Sequence, residues 1–524
     1  MGRSGWSRRS RAGAAAGLAV MATAAAGCNA PADGDGGSSS GVLQVVGQFE
    51  VHSLDPATAG GTFTRLQVAE TLVDADVDGA LQPGLAQDWE ASADQRSWSF
   101  RLRPDAVFHD GTPVTPEHVA AALERARAGE GTPLAAVPWS SVRAQPDAVQ
   151  VELTEPFAAL PAVLAHTSTQ VLAPSSYAPD GTVTEVVGSG PYRVERVEQP
   201  SVVDLVAAEQ WSGKEPGVQR IHYQTVGRGE ARALMAESGQ ADVTFGMDPV
   251  SLQRLTRADG LDIESATLPR AILLKTNAAH PTLRDVRVRQ AISLALDREA
   301  MATALLRDPE MAATQLFPPS LPEWHQDTLA PLEHDPQAAR DLLAGAGWTP
   351  GPGGTLTRDG APLSLTLRTF PDRAELPVLA TAVQAALEGI GIAVEVQVGN
   401  SSEIAAGHQD GTLELGLYAR NYSLVPDPVV TLLEDFDADG DDYGAMGWDD
   451  PALTAALTDL TGGGIDDAGA TAARQQVAQV LQAELPVIPV AWYRQSVVVS
   501  DRVDGVVLDP LERSFHLTDV RWAR

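Results

Sequence analysis

The sequence alternates between two hydrophobic patterns, one with the two-residue period of a strand and one with the period of an amphipathic helix. Residues 98–102 read Trp-Ser-Phe-Arg-Leu, and their strict alternation predicts a half-buried strand. The valine-rich segment at residues 42–46 predicts an opening strand. Further strands are predicted on the same grounds at residues 242–245, 363–368, 392–398, 413–418 and 489–499.

The helical segments carry start and stop signals. Thr115 followed by Pro116 and Glu117 is typical of a capped helix start and predicts a helix over residues 118–127. Residues 285–307 place apolar side chains on one face and predict a longer helix. Other helices are predicted at residues 230–239, 336–346, 376–389 and 475–484. Because strands and helices alternate and no segment of about 20–50 residues repeats, the predicted fold class is α/β without repeats.

Composition narrows the class of protein. The 524 residues include 37 Lys and Arg against 69 Asp and Glu, a net charge of −32. So acidic a chain lacks the basic surface that nucleic-acid binding needs, and nucleic acid is therefore not expected as a partner. The single cysteine, Cys28, permits neither an intramolecular disulfide nor a Cys-x-x-Cys metal site. The length suits several compact units or one large protein of two lobes.

The first residues have the features of an export signal. Four arginines precede an apolar run of small residues at 12–27, which is shorter than the roughly 20 residues of a membrane span. The run ends directly at Cys28, the pattern of lipoprotein processing, in which the cysteine thiol receives a diacylglycerol. We predict that residues 1–27 are a lipoprotein signal peptide and that Cys28 is lipidated. An ordinary cleaved signal with an incidental cysteine is the alternative, and the export route, general or twin-arginine, stays open.

The segment after Cys28 predicts a flexible connection. Residues 28–41 consist mainly of Gly, Ser, Asp, Ala and Pro and offer no side chain that could build a core. No later stretch is apolar for long enough to span a bilayer. We therefore expect a body outside the cytoplasm, tethered by its lipid to the outer face of the cell membrane, either in a periplasm or at the cell surface.

Several short segments, taken in order, resemble one protein family. The most specific are Phe108, His109 and Asp110 followed by Gly-Thr-Pro, and the Arg-rich stretch of residues 286–298. The full set comprises residues 53–57, 70–73, 82–86, 97–103, 107–113, 188–192, 283–298 and 390–392. On these motifs the chain resembles the extracytoplasmic solute-binding proteins of ABC importers, in the family with oligopeptide-, dipeptide- and nickel-binding members. The likeness extends over nearly all of residues 42–524.

The resemblance implies the two-lobed periplasmic-binding-protein fold, type II in its large variant, with a hinge between α/β lobes that close on a ligand. The first lobe would hold residues 42–273 and 491–524, and the second would hold residues 274–490. The chain would cross between them near residues 274–278 and 488–492. In this family His109 and Asp110 belong to a structural turn, so no catalytic residue is expected. The resemblance likewise implies no resident metal or cofactor.

A loop after residue 418 is where peptide-binding relatives meet their ligand. Those relatives carry an acid three residues before an acid–Pro pair, and this acid holds the α-amino group of the peptide. If Asp427 and Pro428 are the pair, the corresponding residue is Leu424, which cannot neutralise an ammonium. The resemblance therefore leaves ordinary peptide binding in doubt.

Nickel-binding relatives lack that acid and carry an arginine and an aromatic residue earlier in the loop. Arg420 and Tyr422 stand at those positions, with Asn421 between them. The arginine would grip a carboxylate and the tyrosine would stack on a ligand ring; the alternative is a salt bridge near the hinge beside a packed aromatic. The first-lobe arginines of nickel-type relatives are missing, and His166 is the remaining candidate ligand residue in that region, unless it is simply packed.

One acidic segment resembles the start of a calcium loop. Asp435, Asp437 and Asp439 precede Gly440, but Met446 stands at the twelfth position, where a bidentate Glu is required. We interpret the segment as a solvated acidic loop, and no metal site is predicted.

The predicted function is a substrate-binding lipoprotein of an ABC importer. It would capture a peptide, or a peptide-like or carboxylate-bearing solute, and deliver it to the transmembrane subunits of the permease, acting as a monomer. A nickel or metal-chelate carrier of the same family is the first alternative. An extracellular hydrolase is disfavoured because the sequence has no His-Glu-x-x-His motif and no cysteine beyond Cys28. The sequence does not identify the solute or the permease.

Overall fold

The structure, a computed structural model, describes residues 41–59, 61–129, 133–371, 373, 375–436 and 442–524. The predicted signal peptide, Cys28 and residues 29–40 of the predicted tether lie outside these described residues. Residues Gly41–Arg524 form one compact unit. Across the described ranges, no helix combines the length and the apolar character that a membrane crossing requires.

Strands form where the sequence alternates or is continuously apolar. In the described part of the chain they are β1 (Val42–Gly47), β2 (Val73–Ala75), β3 (Leu81–Pro83), β4 (Ala86–Ala91), β5 (Ser97–Leu102), β6 (Trp139–Ala144), β7 (Ala148–Leu153), β8 (Tyr192–Glu198), β9 (Val202–Ala207), β10 (Arg220–Thr225), β11 (Val243–Phe245), β12 (Leu261–Thr276), β13 (Thr349–Pro350), β14 (Leu356–Arg358), β15 (Ala361–Pro362), β16 (Ser364–Thr369), β17 (Ala393–Val398), β18 (Leu415–Asn421), β19 (Val487–Ser500), β20 (Val503–Asp504) and β21 (Arg521–Trp522).

Helices fill the intervals between the strands. They are α1 (Thr62–Arg65), α2 (Pro116–Arg127), α3 (Leu160–Val163), α4 (Gly229–Glu237), α5 (Pro249–Leu255), α6 (Val286–Ala295), α7 (Arg298–Met301), α8 (Pro336–Gly345), α9 (Glu375–Glu388), α10 (Ser402–Gln409), α11 (Val429–Phe436), α12 (Pro451–Gly462) and α13 (Asp467–Glu484). The capped start at Thr115 is confirmed, since α2 begins at the next residue and the Nδ1 of His118 accepts from the backbone N–H of Thr115 at 3.3 Å.

The long helix predicted over residues 285–307 is interrupted. Helix α6 ends because Leu296 has an extended backbone (φ −84°, ψ 112°). Asp297 then starts α7, accepting from the N–H of Ala300 at 2.9 Å, and a π-helical turn follows at Ala302–Leu306. The apolar period continues through the break, which is why the pattern alone did not show it; the capping aspartate was the available signal.

A ten-stranded sheet organises the fold, in the order β17-β16-β18-β12-β19-β11-β1-β10-β9-β8. Its central pair, β12 and β19, is antiparallel and extends from Leu261 opposite Ser500 to Lys275 opposite Val487. Parallel pairing joins β1 to β10 and β11 on one side of this pair and β16 to β17 and β18 on the other. The predicted crossing strands are therefore long strands inside one continuous sheet, with a register shift between Thr267 and Ala271.

Two large cores flank the central pair. One packs the strands around β1 and includes Leu43, Tyr192, Tyr223, Phe245 and Phe515. The other joins the second group of strands to a separate four-stranded sheet, β4-β5-β7-β6. The two groups of strands thus have hydrophobic interiors of their own, which is the construction of a two-lobed α/β fold.

Candidate functional site

The carboxyl ends of parallel strands from both groups face one cleft. Gln48 follows β1, Gly246 follows β11 and Arg373 follows β16, and all three residues line it. In open α/β sheets, ligands bind outside the carboxyl ends of the strands. The cleft has a volume of about 660 Å³, within the range of small-molecule sites. The central strands β12 and β19 line it between the two groups, which makes it the candidate ligand site.

Tyr493 of β19 is the centre of a polar network in this cleft. The guanidinium carbons of Arg270 and Arg373 lie 5.3 and 5.2 Å from the centroid of its ring, within cation–π range. Arg373 also donates from Nη1 to the Tyr493 hydroxyl at 3.2 Å. Burial, reinforced by the negative charge of Glu375, raises the pKa of Tyr493. The phenol therefore remains protonated at neutral pH and keeps its O–H as a donor.

Arg270 and Glu512 form a buried ion pair beside this ring. Arg270 Nη2 donates to Glu512 Oε2 at 2.6 Å, and the two side chains are 12% and 7% exposed. Arg65 donates from Nε to the backbone carbonyl of Glu512 at 2.7 Å, which fixes the segment that carries this acid. Geometry of this kind is rigid, because breaking either contact would leave a buried charged group without its partner.

The charge balance of the cleft differs from that of the whole chain. Five arginines and four acids line it, whereas acids outnumber basic residues almost two to one overall. Arg494 is paired with Asp308 at 3.0 Å, and Arg270 is paired with Glu512. Arg373 forms no ion pair with any described residue, and its one hydrogen bond there is to Tyr493. The cleft therefore offers a fixed positive charge to an anionic group of a ligand.

The structure places Arg420 against an internal carboxylate. Its Nε donates to Asp435 Oδ2 at 2.9 Å and Nη2 donates to Oδ1 at 2.5 Å, a bidentate pair between side chains that are 12% and 1% exposed. Burial opposes the charge of Arg420, but the carboxylate of Asp435 outweighs it and raises the pKa of the guanidinium. This is the salt bridge that the sequence analysis left open as the alternative, and a ligand contact of Arg420 stays a prediction.

Tyr422 and Asn421 lie beside Arg420 at the end of β18. Tyr422 is fully buried and packs edge-on against Phe317, with ring centroids 5.9 Å apart. Asn421 accepts the N–H of Ser423 at 2.8 Å through Oδ1 and lies opposite Arg270 in the β12–β18 register. Their strand therefore abuts a residue of the cleft, although neither side chain lines it.

His166 is not among the residues that line the cleft. Its Nδ1 accepts the N–H of Ser168 at 3.2 Å and so caps a short 3₁₀ turn at Thr167–Thr169. Burial, with a smaller contribution from the charge of Arg513, lowers the pKa of His166 to about 4. The ring is neutral at physiological pH and acts here as a capping acceptor.

Sequence reasoning missed Arg270, Arg373, Tyr493 and Glu512. Arg270 interrupts the apolar run of β12, and Tyr493 follows the apolar run of β19; polar residues just outside the predicted crossings at residues 274–278 and 488–492 were a usable signal. Arg373 and Glu512 lie in loops whose positions depend on the whole fold, so no local pattern marked them. In the described residues no group of three or more His, Cys, Asp or Glu side chains could hold a metal ion.

The fold and the cleft together define a binding protein with two lobes and a ligand site between them. Residues 80–442 match the model of the bacterial extracellular solute-binding proteins, family 5, middle region. Because this match covers more than half of the chain, the protein belongs to that family, whose members bind solutes for ABC importers.

Known relatives agree with this assignment. The chain is 25% identical to the nickel-binding periplasmic protein of Escherichia coli (strain K12) over 396 residues, which cover 73% of this chain and 75% of that protein. It is 27% identical to the probable D,D-dipeptide-binding periplasmic protein DdpA of the same strain, over 62% of this chain and 61% of DdpA. The alignment therefore spans about three fifths of the dipeptide-binding relative.

Solved structures confirm the fold. NikA from Brucella suis in complex with Fe(III)-EDTA superposes with a TM-score of 0.82 at 24% identity, covering 92% of this chain and 99% of that one. The oligopeptide-binding protein AppA from Bacillus subtilis, in complex with a nonapeptide, gives a TM-score of 0.74 at 19% identity with the same coverage. At these identities the likeness establishes the two-lobed fold.

Proposed function

We propose that the protein is the solute-binding component of an ABC importer for a small peptide or peptide-like solute that carries a carboxylate. The observation that carries this proposal is Arg373, a cation of the cleft with no ion-pair partner in the described residues. A guanidinium can hold a carboxylate through two parallel hydrogen bonds. Since the chain as a whole repels anions, short-range pairing in the cleft supplies the selectivity. The protein carries out no chemistry on the solute.

The remaining parts of the proposal follow the family. The lobes are residues 42–273 with 491–524 and residues 274–490, and they close on the solute as a monomer that docks on the permease. Cys28 carries the lipid that holds the body at the outer face of the membrane. Arg420, Asn421, Tyr422 and His166 remain secondary candidates for ligand contact, behind the residues that line the cleft.

A metal chelate is the second candidate solute. The nickel-binding relative supports it, and a chelate with carboxylate groups would present the same chemistry to Arg373 as a peptide does. The metal would then be transported as part of the chelate.

Calorimetry on the purified protein tests the proposal. The panel comprises Ni²⁺ alone, Ni²⁺ with histidine, and di- and tripeptides. Arg373→Ala should weaken binding of the solute that wild type binds by about 2–5 kcal/mol, because a desolvated ion pair is lost. Arg143→Ala, at an exposed arginine of β6, is the matched control and should bind as wild type does. Equal affinity of Arg373→Ala and wild type would remove Arg373 from the site.

A further inference from the structure

Two buried carboxylate oxygens in the cleft have no hydrogen-bond partner among the described residues. They are Glu375 Oε1, at the first residue of α9, and Glu512 Oε1, in the segment after β20. No other Asp or Glu oxygen in the described ranges is both buried and unpartnered. Both residues line the cleft, and they approach it from opposite groups of strands. Buried polar atoms in folded proteins usually have a hydrogen-bond partner, so two acceptor oxygens without one in a single cleft leave room for donors from a ligand.

Tyr493 interacts with the side chain of Glu375, but no neighbouring side chain places a donor within hydrogen-bond distance of either unpartnered oxygen. Arg270 is directed at the other oxygen of Glu512, and Arg373 donates to the hydroxyl of Tyr493. A carboxylate oxygen that is removed from water without a hydrogen bond is unfavourable by several kcal/mol in order of magnitude. A donor brought in by a ligand would recover that free energy, and a cationic donor would recover more than a neutral one.

We propose that Glu375 and Glu512 together bind the ammonium group of the solute, in place of the acid that the loop lacks at Leu424. An ammonium has three N–H donors, enough to satisfy both oxygens at once. With Arg373 available for a carboxylate, the cleft then fits a zwitterion, an amino-acid-like or short peptide solute with a free amino group. This inference rests on the proposed function and narrows its substrate class. It excludes peptides with a blocked amino terminus, which the absence of an acid at Leu424 would by itself have favoured.

Matched ligands test the inference independently of the proposed function. A library of di- and tripeptides is prepared in free-amine and N-acetylated forms, and each form is titrated into the wild-type protein while unfolding temperature and binding heat are measured. We expect the free-amine form to bind and the N-acetylated form to bind at least about 30-fold more weakly. Equal binding of the two forms would overturn the ammonium site and leave the proposed function standing. If neither form bound, both proposals would fail for peptides.

Two variants assign the effect to the acids. Glu375→Gln and Glu512→Gln should each reduce affinity for the free-amine form by about 30-fold and leave affinity for the N-acetylated form unchanged. Glu388→Gln, at the exposed far end of the same helix α9, is the control and should behave as wild type. Glu375→Gln keeps the Arg270–Glu512 pair intact, so it decides the matter if Glu512→Gln folds poorly. If Glu375→Gln discriminated between the free-amine and N-acetylated peptides as strongly as wild type does, the ammonium site would be refuted.

Discussion

Arg420 and Arg373 carry the same charge in different surroundings, and the surroundings determine what each can bind. Arg420 already holds the carboxylate of Asp435, whereas Arg373 has a phenol as its hydrogen-bond partner. Arg420 was singled out because the family resemblance places it in the loop where relatives meet their ligands. The partner of an arginine depends on side chains that are distant in sequence, so the more available cation was not identified in advance.

Arg420→Ala should lower the free energy of unfolding by about 3–5 kcal/mol, because it removes the guanidinium partner of a carboxylate that is 1% exposed. Chemical denaturation measures the change. Asp435→Asn keeps the guanidinium and serves as the comparison for ligand binding at a temperature where both variants are folded. A loss of affinity confined to Arg420→Ala would support a ligand contact of Arg420, and unchanged unfolding in that variant would contradict the structural role.

His166 makes stability depend on pH in a defined window. Its pKa in the folded protein is about 4, below the ordinary value near 6.5, because burial disfavours the charged ring. The unfolded chain therefore binds the proton first, and the folded state loses stability as pH falls from about 6.5 toward 4, by on the order of 3 kcal/mol. His166→Asn keeps an acceptor for the cap and should show a smaller loss over this range in denaturation curves. If the free energy of unfolding fell equally with pH in wild type and in His166→Asn, His166 would not contribute to the pH dependence.

At the scale of elements, the predicted strands and helices are largely observed where a clear period coincides with a terminal signal. β16, β17 and β19 and helices α2, α8 and α9 are examples. The failure at residues 285–307 arose because a helix can restart after two non-helical residues, here Leu296 and Asp297. Strands β8, β9 and β10 were not predicted, although β10 alternates polar and apolar residues from Arg220 to Thr225 and so offered a usable signal.

The restart at α7 depends on its capping aspartate. Asp297→Ala should reduce the free energy of unfolding by about 1 kcal/mol, since the N–H of Ala300 loses its acceptor. Asp459→Ala, at an exposed position inside α12, removes a carboxylate without a capping role and is the control. Denaturant titration of both variants measures the difference, and equal stabilities would argue against the cap.

Helix α9 presents an apolar side chain at the cleft. Val378 is 49% exposed and lines the cleft, whereas Val398 at the end of β17 is 52% exposed and lies outside it. Val378→Asp should weaken binding of the solute by repelling its carboxylate, and Val398→Asp should not, while both should unfold as wild type does. Calorimetry with the solute that wild type binds distinguishes them. Equal effects of the two substitutions would show that α9 does not face the bound solute.

At the scale of the molecule, the proposed closure requires contacts between lobes to break and form. Ala158 donates its N–H to the carbonyl of Thr461 at 2.6 Å, although the proposed boundary assigns these residues to different lobes. Opening would break this hydrogen bond. We expect small-angle scattering to give a smaller radius of gyration with the solute than without it, and equal radii for verified free and bound protein would contradict closure.

The proposed membrane attachment through Cys28 also concerns the whole molecule. Cys28→Ser should release the protein from membranes, because the thiol that would take the diacylglycerol is absent. Fractionation in detergent-free buffer followed by immunoblotting measures the distribution. Retention of the serine variant in the membrane fraction would refute the lipid anchor.

The course of the chain through the central sheet also sets the order in which the protein can fold. Residues 277–485 form one contiguous stretch of the chain. The pairing of β16 with β17 and β18 lies wholly inside this stretch, so it can form as soon as the stretch has been synthesised. The core around β1 is different, since it needs Val497, Val499 and Phe515, which emerge only after that whole stretch. Contacts between residues so far apart in sequence form slowly. The half of the protein that is made first is therefore completed last, because its core waits for strands at the carboxyl terminus.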